Sequence, residues 1–163
     1  MNQPSFRKAK PDDLDQVTDL LARLFQDHDP ASLLEENREI LQAANETIFL
    51  ACSGNKAVGI SHVAIRHDYV EGASRGDVCG YLEALYVLPA YRHRGIGRGL
   101  VRHCEDWSQR KGCTLFASDC ELDNETSQGF HKKMGFLEVD RIIHYIKPLD
   151  QSQADSPSGY FRP

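Results

Sequence analysis

One stretch limits the possible folds more than any other: Val87-Leu88-Pro89-Ala90-Tyr91-Arg92-His93-Arg94-Gly95-Ile96-Gly97-Arg98-Gly99-Leu100. Before it, Tyr81 to Leu88 is an apolar and aromatic run of strand character, which Pro89 ends. After it, Leu100, Val101, Cys104 and Trp107 recur at helical spacing, and Gly112 closes the helix predicted over Ile96 to Lys111. A strand that feeds a helix through Gly95, Gly97 and Gly99 leaves backbone N–H groups uncovered at the positive end of the helix dipole. Arg92, Arg94 and Arg98 add positive charge. The stretch reads as a cradle for a pyrophosphate. It is not a P-loop, since G-x-x-x-x-G-K-[ST] is absent. Nor is it a dinucleotide fingerprint, since no G-x-G-x-x-G follows the first strand.

The rest of the chain must pack around that unit. A short extended segment lies near Phe6 to Lys8. Pro11-Asp12-Asp13 opens a helix with Leu14, Val17, Leu21 and Leu24 on its apolar side, and Asp27-His28-Asp29-Pro30 breaks it. Ser32-x-x-Glu35 reads as a capping box for a second helix carrying Leu33, Leu34, Ile40 and Leu41. From Thr47 the period falls to two. Thr47–Cys52 and Ala57–Ile65 form a hairpin about Gly54-Asn55, and Tyr69 to Gly80 is a loop. Thr114–Ala117 is a short strand, Asn124–Met134 a fourth helix ended by Gly135, and Phe136–Lys147 a last strand region. Hairpin strands come first and strand–helix–strand crossovers later. This predicts an α/β (α+β) chain with a mixed, mostly antiparallel sheet and helices on both faces. Residues 1–147 are read as one domain and 148–163 as a polar flexible tail.

Charge and cysteines exclude several classes. The net charge is −5 and no long basic block occurs, so a nucleic-acid partner is not expected. No apolar run reaches the length of a membrane span, and Met1-Asn2-Gln3-Pro4 begins no signal peptide. The expected location is the cytoplasm. Cys52, Cys79, Cys104, Cys113 and Cys120 are odd in number and include no C-x-x-C pair, so they read as free thiols. The histidines show no metal-ligand spacing, and no metal is expected.

Arg92-x-x-Gly95-x-Gly97 resembles the coenzyme A signature of the GNAT superfamily of N-acetyltransferases. Asn124, Ser127, His131, Gly135 and Phe136 fall at the spacing of that family's second cofactor element. Three longer stretches, Ile65–Val70, Tyr81–Pro89 and Ala117–Asn124, resemble the aminoglycoside 6'-N-acetyltransferases in particular. The resemblance implies the GNAT fold, a sheet split into a V with acetyl-CoA in the split, and it covers about residues 5–147. Leu85, Tyr86 and Val87 would pair their backbone with the pantetheine arm as an added strand would. The N–H groups of His93, Arg94, Gly95, Ile96, Gly97 and Arg98 would hold the pyrophosphate, with Arg92 adding charge. Asn124 would bond the pantetheine arm, cap its helix, or do both.

The resemblance also implies direct attack of an amine on the thioester. The chain must bind an ammonium, let a proton leave, and stabilise an oxyanion from a backbone N–H near Val87. Glu83 and Asp119 match substrate-binding acids of the resembled group, and Asp140 is a third such position. Strand alternation puts Glu83 on the face of Leu85 and Val87. Phe25, His28 and Tyr69 complete the implied acceptor pocket: Phe25 as a stacking ring or as plain core, His28 as pocket or surface, and Tyr69 on a sugar hydroxyl. His131 stands where many relatives carry a tyrosine general acid; it either donates a proton or orients the coenzyme. The expected acceptor is the 6'-amine of an aminoglycoside. The alternatives are a polyamine, a small metabolite or a protein N-terminus, or a coenzyme A sensor without turnover. The resembled group implies a homodimer.

Overall fold

Strands form where apolar residues alternate. Ile48, Leu50 and Cys52 enter one buried cluster, and Phe49 and Ala51 enter another, so strand β2 (Glu46–Ser53) is covered on both faces. The computed structural model describes residues 4–67, 73–74, 77–145, 147 and 149. Its elements are β1 (Ser5–Lys8), α1 (Leu14–Leu24), α2 (Pro30–Ile40), β2, β3 (Lys56–Arg66), β4 (Cys79–Val87), α3 (Ile96–Arg110), β5 (Leu115–Ser118) and α4 (Glu125–Met134). The five strands lie in one sheet in chain order. Every pairing is antiparallel except β4 with β5, which α3 connects as a crossover. The mixed, mostly antiparallel sheet expected from the sequence is the one that forms.

Helices cover both faces. Val17, Leu20, Leu21 and Leu33 of α1 and α2 pack on Ile48, Leu50, Ile60 and Ala84. Ile96, Leu100, Val101, Cys104 and Trp107 of α3 pack on Phe49, Ala51, Val63 and Leu82. Leu100 and Val101 are fully buried. Removing each such side chain from water contributes about 1.5–3 kcal/mol, which makes α3 the anchor of the turn that precedes it.

The start of α1 is tied to the sheet edge. One 3-10 turn, Pro11–Asp13, leads into it. The Asp13 carboxylate accepts the Lys10 N–H at 2.8 Å and both arms of the Arg7 guanidinium, at 2.6 and 2.7 Å. The start of α2 differs from the expected capping box. Asp29 is the cap: its Oδ2 accepts both the N–H and the hydroxyl of Ser32, each at 2.9 Å, and Pro30 fills the first helical position. Glu35 pairs instead with Arg38 one turn on.

The last strand expected over Phe136–Lys147 does not form among the described residues. Glu138 accepts from the Arg141 guanidinium at 2.6 Å, and Asp140 Oδ1 accepts the Arg141 N–H at 2.7 Å. The Asp140 bond takes one backbone N–H that a strand ladder would use. Leu137, Val139, Ile142, Ile143 and Tyr145 remain exposed. The expected tail lies, apart from Leu149, outside the described residues.

Candidate active site

The sheet parts beside β4. Strand β5 pairs with it only from Cys79↔Leu115 to Leu82↔Ser118, while β4 runs on to Val87. Among the described residues the edge from Glu83 to Val87 therefore has no strand beside it on the β5 side. This is the split implied by the resemblance, and Leu85, Tyr86 and Val87 line its far half. Leu85 and Val87 pack toward α3, and Tyr86 toward α1 and α2.

Past Val87 the chain makes a 3-10 turn at Pro89–Tyr91 and then bends into α3. Two residues in the bend have left-handed backbone, His93 (φ 60°) and Gly95 (φ 78°). Such a turn aims consecutive N–H groups into one concavity. The N–H groups of His93, Gly95, Ile96, Gly97 and Arg98 reach no backbone carbonyl among the described residues; the first to do so is that of Gly99, on Gly95 O at 3.0 Å. Beside the bend lies a pocket of about 260 Å³ lined by Phe6, Arg94, Gly95, Arg98 and Arg102 among others. Open N–H groups, a helix start and three arginines suit a diphosphate. Arg102 was not foreseen, although it stands one helical turn after Arg98.

The three glycines have separate duties. Gly95 supplies the positive φ, and a Cβ there would meet nothing within 4 Å. At Gly97 a Cβ would lie 3.3 Å from the Phe130 ring of α4, and at Gly99 it would lie 2.3 Å from the Phe6 ring of β1. Gly97 and Gly99 thus admit rings that pack on α3. Arg92 is also engaged locally: its Nε donates to Val87 O at 2.9 Å and its guanidinium stands 5.6 Å from the centre of the Tyr86 ring.

Asn124 caps α4, its Oδ1 accepting the Ser127 N–H at 3.0 Å. Its amide nitrogen keeps its donors for another partner. His131 points Nδ1 at the Ser127 carbonyl, 2.8 Å away, and Nε2 at the Ser118 hydroxyl, 3.0 Å away. A carbonyl only accepts, so Nδ1 carries a proton. In the neutral ring Nε2 accepts from Ser118. Ser118 ends the paired part of β5, so His131 reaches the split through that hydroxyl.

The acids gather on the other face. Strand β4 has a bulge: His62 pairs with Ala84 and Val63 with Leu82, leaving Glu83 without an opposite residue. The bulge breaks the alternation on which the sequence reading relied. Glu83 does not share the face of Leu85 and Val87; it lies on the side of Tyr81. Its Oε1 and Oε2 accept Nε and Nη2 of Arg66 at 2.9 and 2.8 Å. The Arg66 guanidinium lies 3.6 Å from the centre of the Tyr81 ring. The Tyr81 hydroxyl donates to Asp119 Oδ2 at 2.6 Å. Burial, reinforced by Asp119, pushes the Tyr81 phenol far above its usual range, so it remains a donor. Tyr81, Arg66 and Ser118 escaped the sequence reading because only the β3–β4 and β4–β5 registers bring them to Glu83, Asp119 and His131.

Not every expected pocket residue converges. Phe25 and His28 approach each other, ring centres 5.4 Å apart, at the end of α1. Phe25 packs on the cluster that contains Ala84. Asp140 sits in the exposed segment after α4, and no described contact joins it to Glu83 or Asp119. Tyr69 lies outside the described residues. Among the described residues no group of acids, histidines and cysteines could hold a metal ion.

Known proteins share this sequence pattern and this fold. The acetyltransferase (GNAT) family model matches residues 14–136. The aminoglycoside N(6')-acetyltransferase type 1 of Salmonella typhimurium is 37% identical over 134 residues, 82% of this chain and 92% of that protein. The enzyme of the same name from Acinetobacter haemolyticus is 34% identical over 146 residues, 90% of this chain and 99% of that protein. Among solved structures, AAC(6')-Iy in complex with the bisubstrate analogue CoA-S-monomethyl-acetylneamine superposes with a TM-score of 0.86 at 33% identity, over 90% of this chain and 99% of that one. With the split sheet, the open N–H turn and the family match over most of the sequence, the chain belongs to the acetyltransferase (GNAT) family.

Proposed function

We propose that the chain transfers the acetyl group of acetyl-CoA to a primary amine, the 6'-amine of an aminoglycoside, by direct attack while both substrates are bound. The observation that carries this reading is the turn into α3, where the N–H groups of His93, Gly95, Ile96, Gly97 and Arg98 reach no described backbone carbonyl just past the free edge of β4; the Asp119 carboxylate after β5 supports it. Relatives named aminoglycoside N(6')-acetyltransferase cover nearly their whole length with this chain, and AAC(6')-Iy has been solved with coenzyme A and with a coenzyme A–neamine bisubstrate.

Bound acetyl-CoA supplies the activated acyl group. The residues of the chain bind and orient. The turn at His93–Arg98, with Arg94 and Arg102 beside it, holds a diphosphate; the free edge at Leu85–Val87 offers backbone donors and acceptors to an extended arm; and Asn124 adds an amide. Asp119 accepts a hydrogen bond from the substrate ammonium and receives the proton that must leave before attack. Glu83 stands beside it, ion-paired with Arg66, and Asp140, Phe25, His28 and Tyr69 remain the proposed outer contacts. With both ring nitrogens protonated, His131 donates through the Ser118 hydroxyl toward a leaving thiolate; the neutral ring only orients that hydroxyl. A cytoplasmic setting fits a coenzyme A ester and five free cysteines. No described helix is long and apolar enough to cross a membrane.

A homodimer is part of the proposal. Leu137, Val139, Ile142, Ile143 and Tyr145 are 62–90% exposed and follow the outermost strand β5, a display of apolar area that a second copy would cover. Sedimentation of wild type and of Ile143→Asp tests it: a dimer that the substitution dissociates is expected, and a wild-type monomer at micromolar concentration refutes it. Acetyl transfer is tested with tobramycin, kanamycin, spermidine and a peptide N-terminus, following product mass. Acetylation of the two aminoglycosides at the 6'-amine is expected. Turnover of spermidine or peptide alone would refute the acceptor assignment.

A further inference from the structure

We propose that Tyr81 and Arg66 are positioning residues that leave a single carboxylate oxygen, Asp119 Oδ1, to receive the reacting amine. The proposal rests on Asp119 being the amine-binding acid.

The two acids beside the split are not equivalent. Both oxygens of Glu83 are taken by the Arg66 fork, at 2.9 and 2.8 Å. Bidentate pairs of this kind fix the carboxylate in orientation as well as in charge. Each Glu83 oxygen keeps a second lone pair, but an ammonium that used it would have to sit beside the positive Arg66 guanidinium, a like-charge contact that Asp119 does not impose. Arg66 is itself held against the face of the Tyr81 ring, 3.6 Å from its centre. Asp119 is different. Its Oδ2 takes the Tyr81 hydroxyl at 2.6 Å, and its Oδ1 has no bond to any described residue. Asp119 is exposed, whereas Tyr81 is 8% exposed, so a rigid, buried phenol holds a carboxylate that would otherwise rotate freely in water. The charges point the same way. Arg66 offsets Glu83, so the cluster presents one net negative charge, enough for one ammonium.

The network is continuous from Glu83 through Arg66 and Tyr81 to Asp119, and its members have separable effects. Tyr81→Phe keeps the ring under Arg66 and removes only the hold on Asp119. Arg66→Met keeps much of the stem and frees Glu83 to capture the amine away from Asp119. A merely structural residue would lower the active fraction without changing how acceptor is bound.

The test is steady-state acetylation of tobramycin by wild type, Tyr81→Phe, Arg66→Met, Arg66→Lys, Asp119→Asn and the double variant Tyr81→Phe/Asp119→Asn, with the coenzyme A Kd measured for each. Tyr81→Phe is expected to lower kcat about tenfold with the coenzyme A Kd unchanged, and to have no further effect on top of Asp119→Asn. Arg66→Met is expected to lower kcat at least fivefold while the acceptor KM stays level or falls, the signature of misplaced but retained acceptor, and Arg66→Lys is expected to recover part of kcat. If Asp119→Asn is severely impaired while Tyr81→Phe and Arg66→Met both stay within twofold of wild type, the positioning roles are wrong and the assignment of Asp119 survives. If Asp119→Asn itself stays within twofold, that assignment fails and the proposal falls with it. Should Tyr81→Phe not fold, Arg66→Met, at a partly exposed position, still decides: an unchanged kcat overturns the proposal.

Discussion

Gly99→Ala sets two effects of opposite sign against each other. In a helix interior, alanine is favoured over glycine by about 1 kcal/mol. Here the new Cβ would stand 2.3 and 2.6 Å from two carbons of the Phe6 ring, so the ring or the helix must retreat by about 1 Å to reach ordinary contact. The ring is not free to do so. It stacks on His103 with centres 5.2 Å apart; His103 Nδ1 donates to Gly99 O at 2.8 Å; and Phe6 is held in register opposite Ala51. Overpacking of this severity costs about 1–3 kcal/mol. The clash should win, leaving a net loss of about 1 kcal/mol and, for a chain of this length, a Tm lower by about 2–4 °C. Thermal and urea melts of Gly99→Ala and of Phe6→Leu/Gly99→Ala read the effect. The double variant should recover the helix gain. If Gly99→Ala alone raises stability by about 1 kcal/mol, Phe6 is not the reason for this glycine and the division of duties among Gly95, Gly97 and Gly99 is wrong.

Two further results are expected. Asp13→Asn removes the acceptor of the Arg7 fork and of the Lys10 N–H, and should cost about 2 kcal/mol in urea unfolding. The Arg7 hydrogen bond holds the Asp13 carboxyl below its usual range, so its contribution is fully present above about pH 4 and is lost as pH falls through the depressed folded value. The difference between wild type and Asp13→Asn should accordingly shrink toward pH 2 in acid melts. Cys120 is exposed while Cys52, Cys79, Cys104 and Cys113 are buried, and burial pushes the Cys104 thiol up to about 12. A thiol reagent should therefore titrate one cysteine per native chain rapidly and five after denaturation; two or more rapid thiols in the native protein would contradict the packing of these residues.

Much of the architecture could be read from periodicity. The helical spacing of Val17 and Leu21, the hairpin about Gly54-Asn55 and the strand–turn–helix at Val87–Leu100 each rest on local chemistry, and each forms as expected. Two misreadings were also local in origin. Ser32-x-x-Glu35 matches a capping box, but Asp29 followed by Pro30 offers a better cap three residues earlier. The apolar residues after Gly135 look like a strand, yet among the described residues the segment 136–145 pairs with no strand, and Arg141 bonds locally to Glu138 and Asp140. The faces of the site were harder to read. One unpaired residue in β4 reverses the side on which Glu83 lies, and no composition or spacing announces a bulge. Arg66 and Tyr81 look like ordinary strand residues until the registers set one over the other and both beside the acids.

We propose that the open N–H groups of His93, Gly95, Ile96, Gly97 and Arg98 grip the diphosphate of coenzyme A. Titration of ¹⁵N-labelled protein with coenzyme A, followed by amide chemical shifts, tests it most directly. The largest downfield shifts are expected on His93, Gly95, Ile96, Gly97 and Arg98, and adenosine 3',5'-bisphosphate, which lacks the diphosphate, should not reproduce them. Saturating coenzyme A that moves other amides and leaves these in place would contradict it.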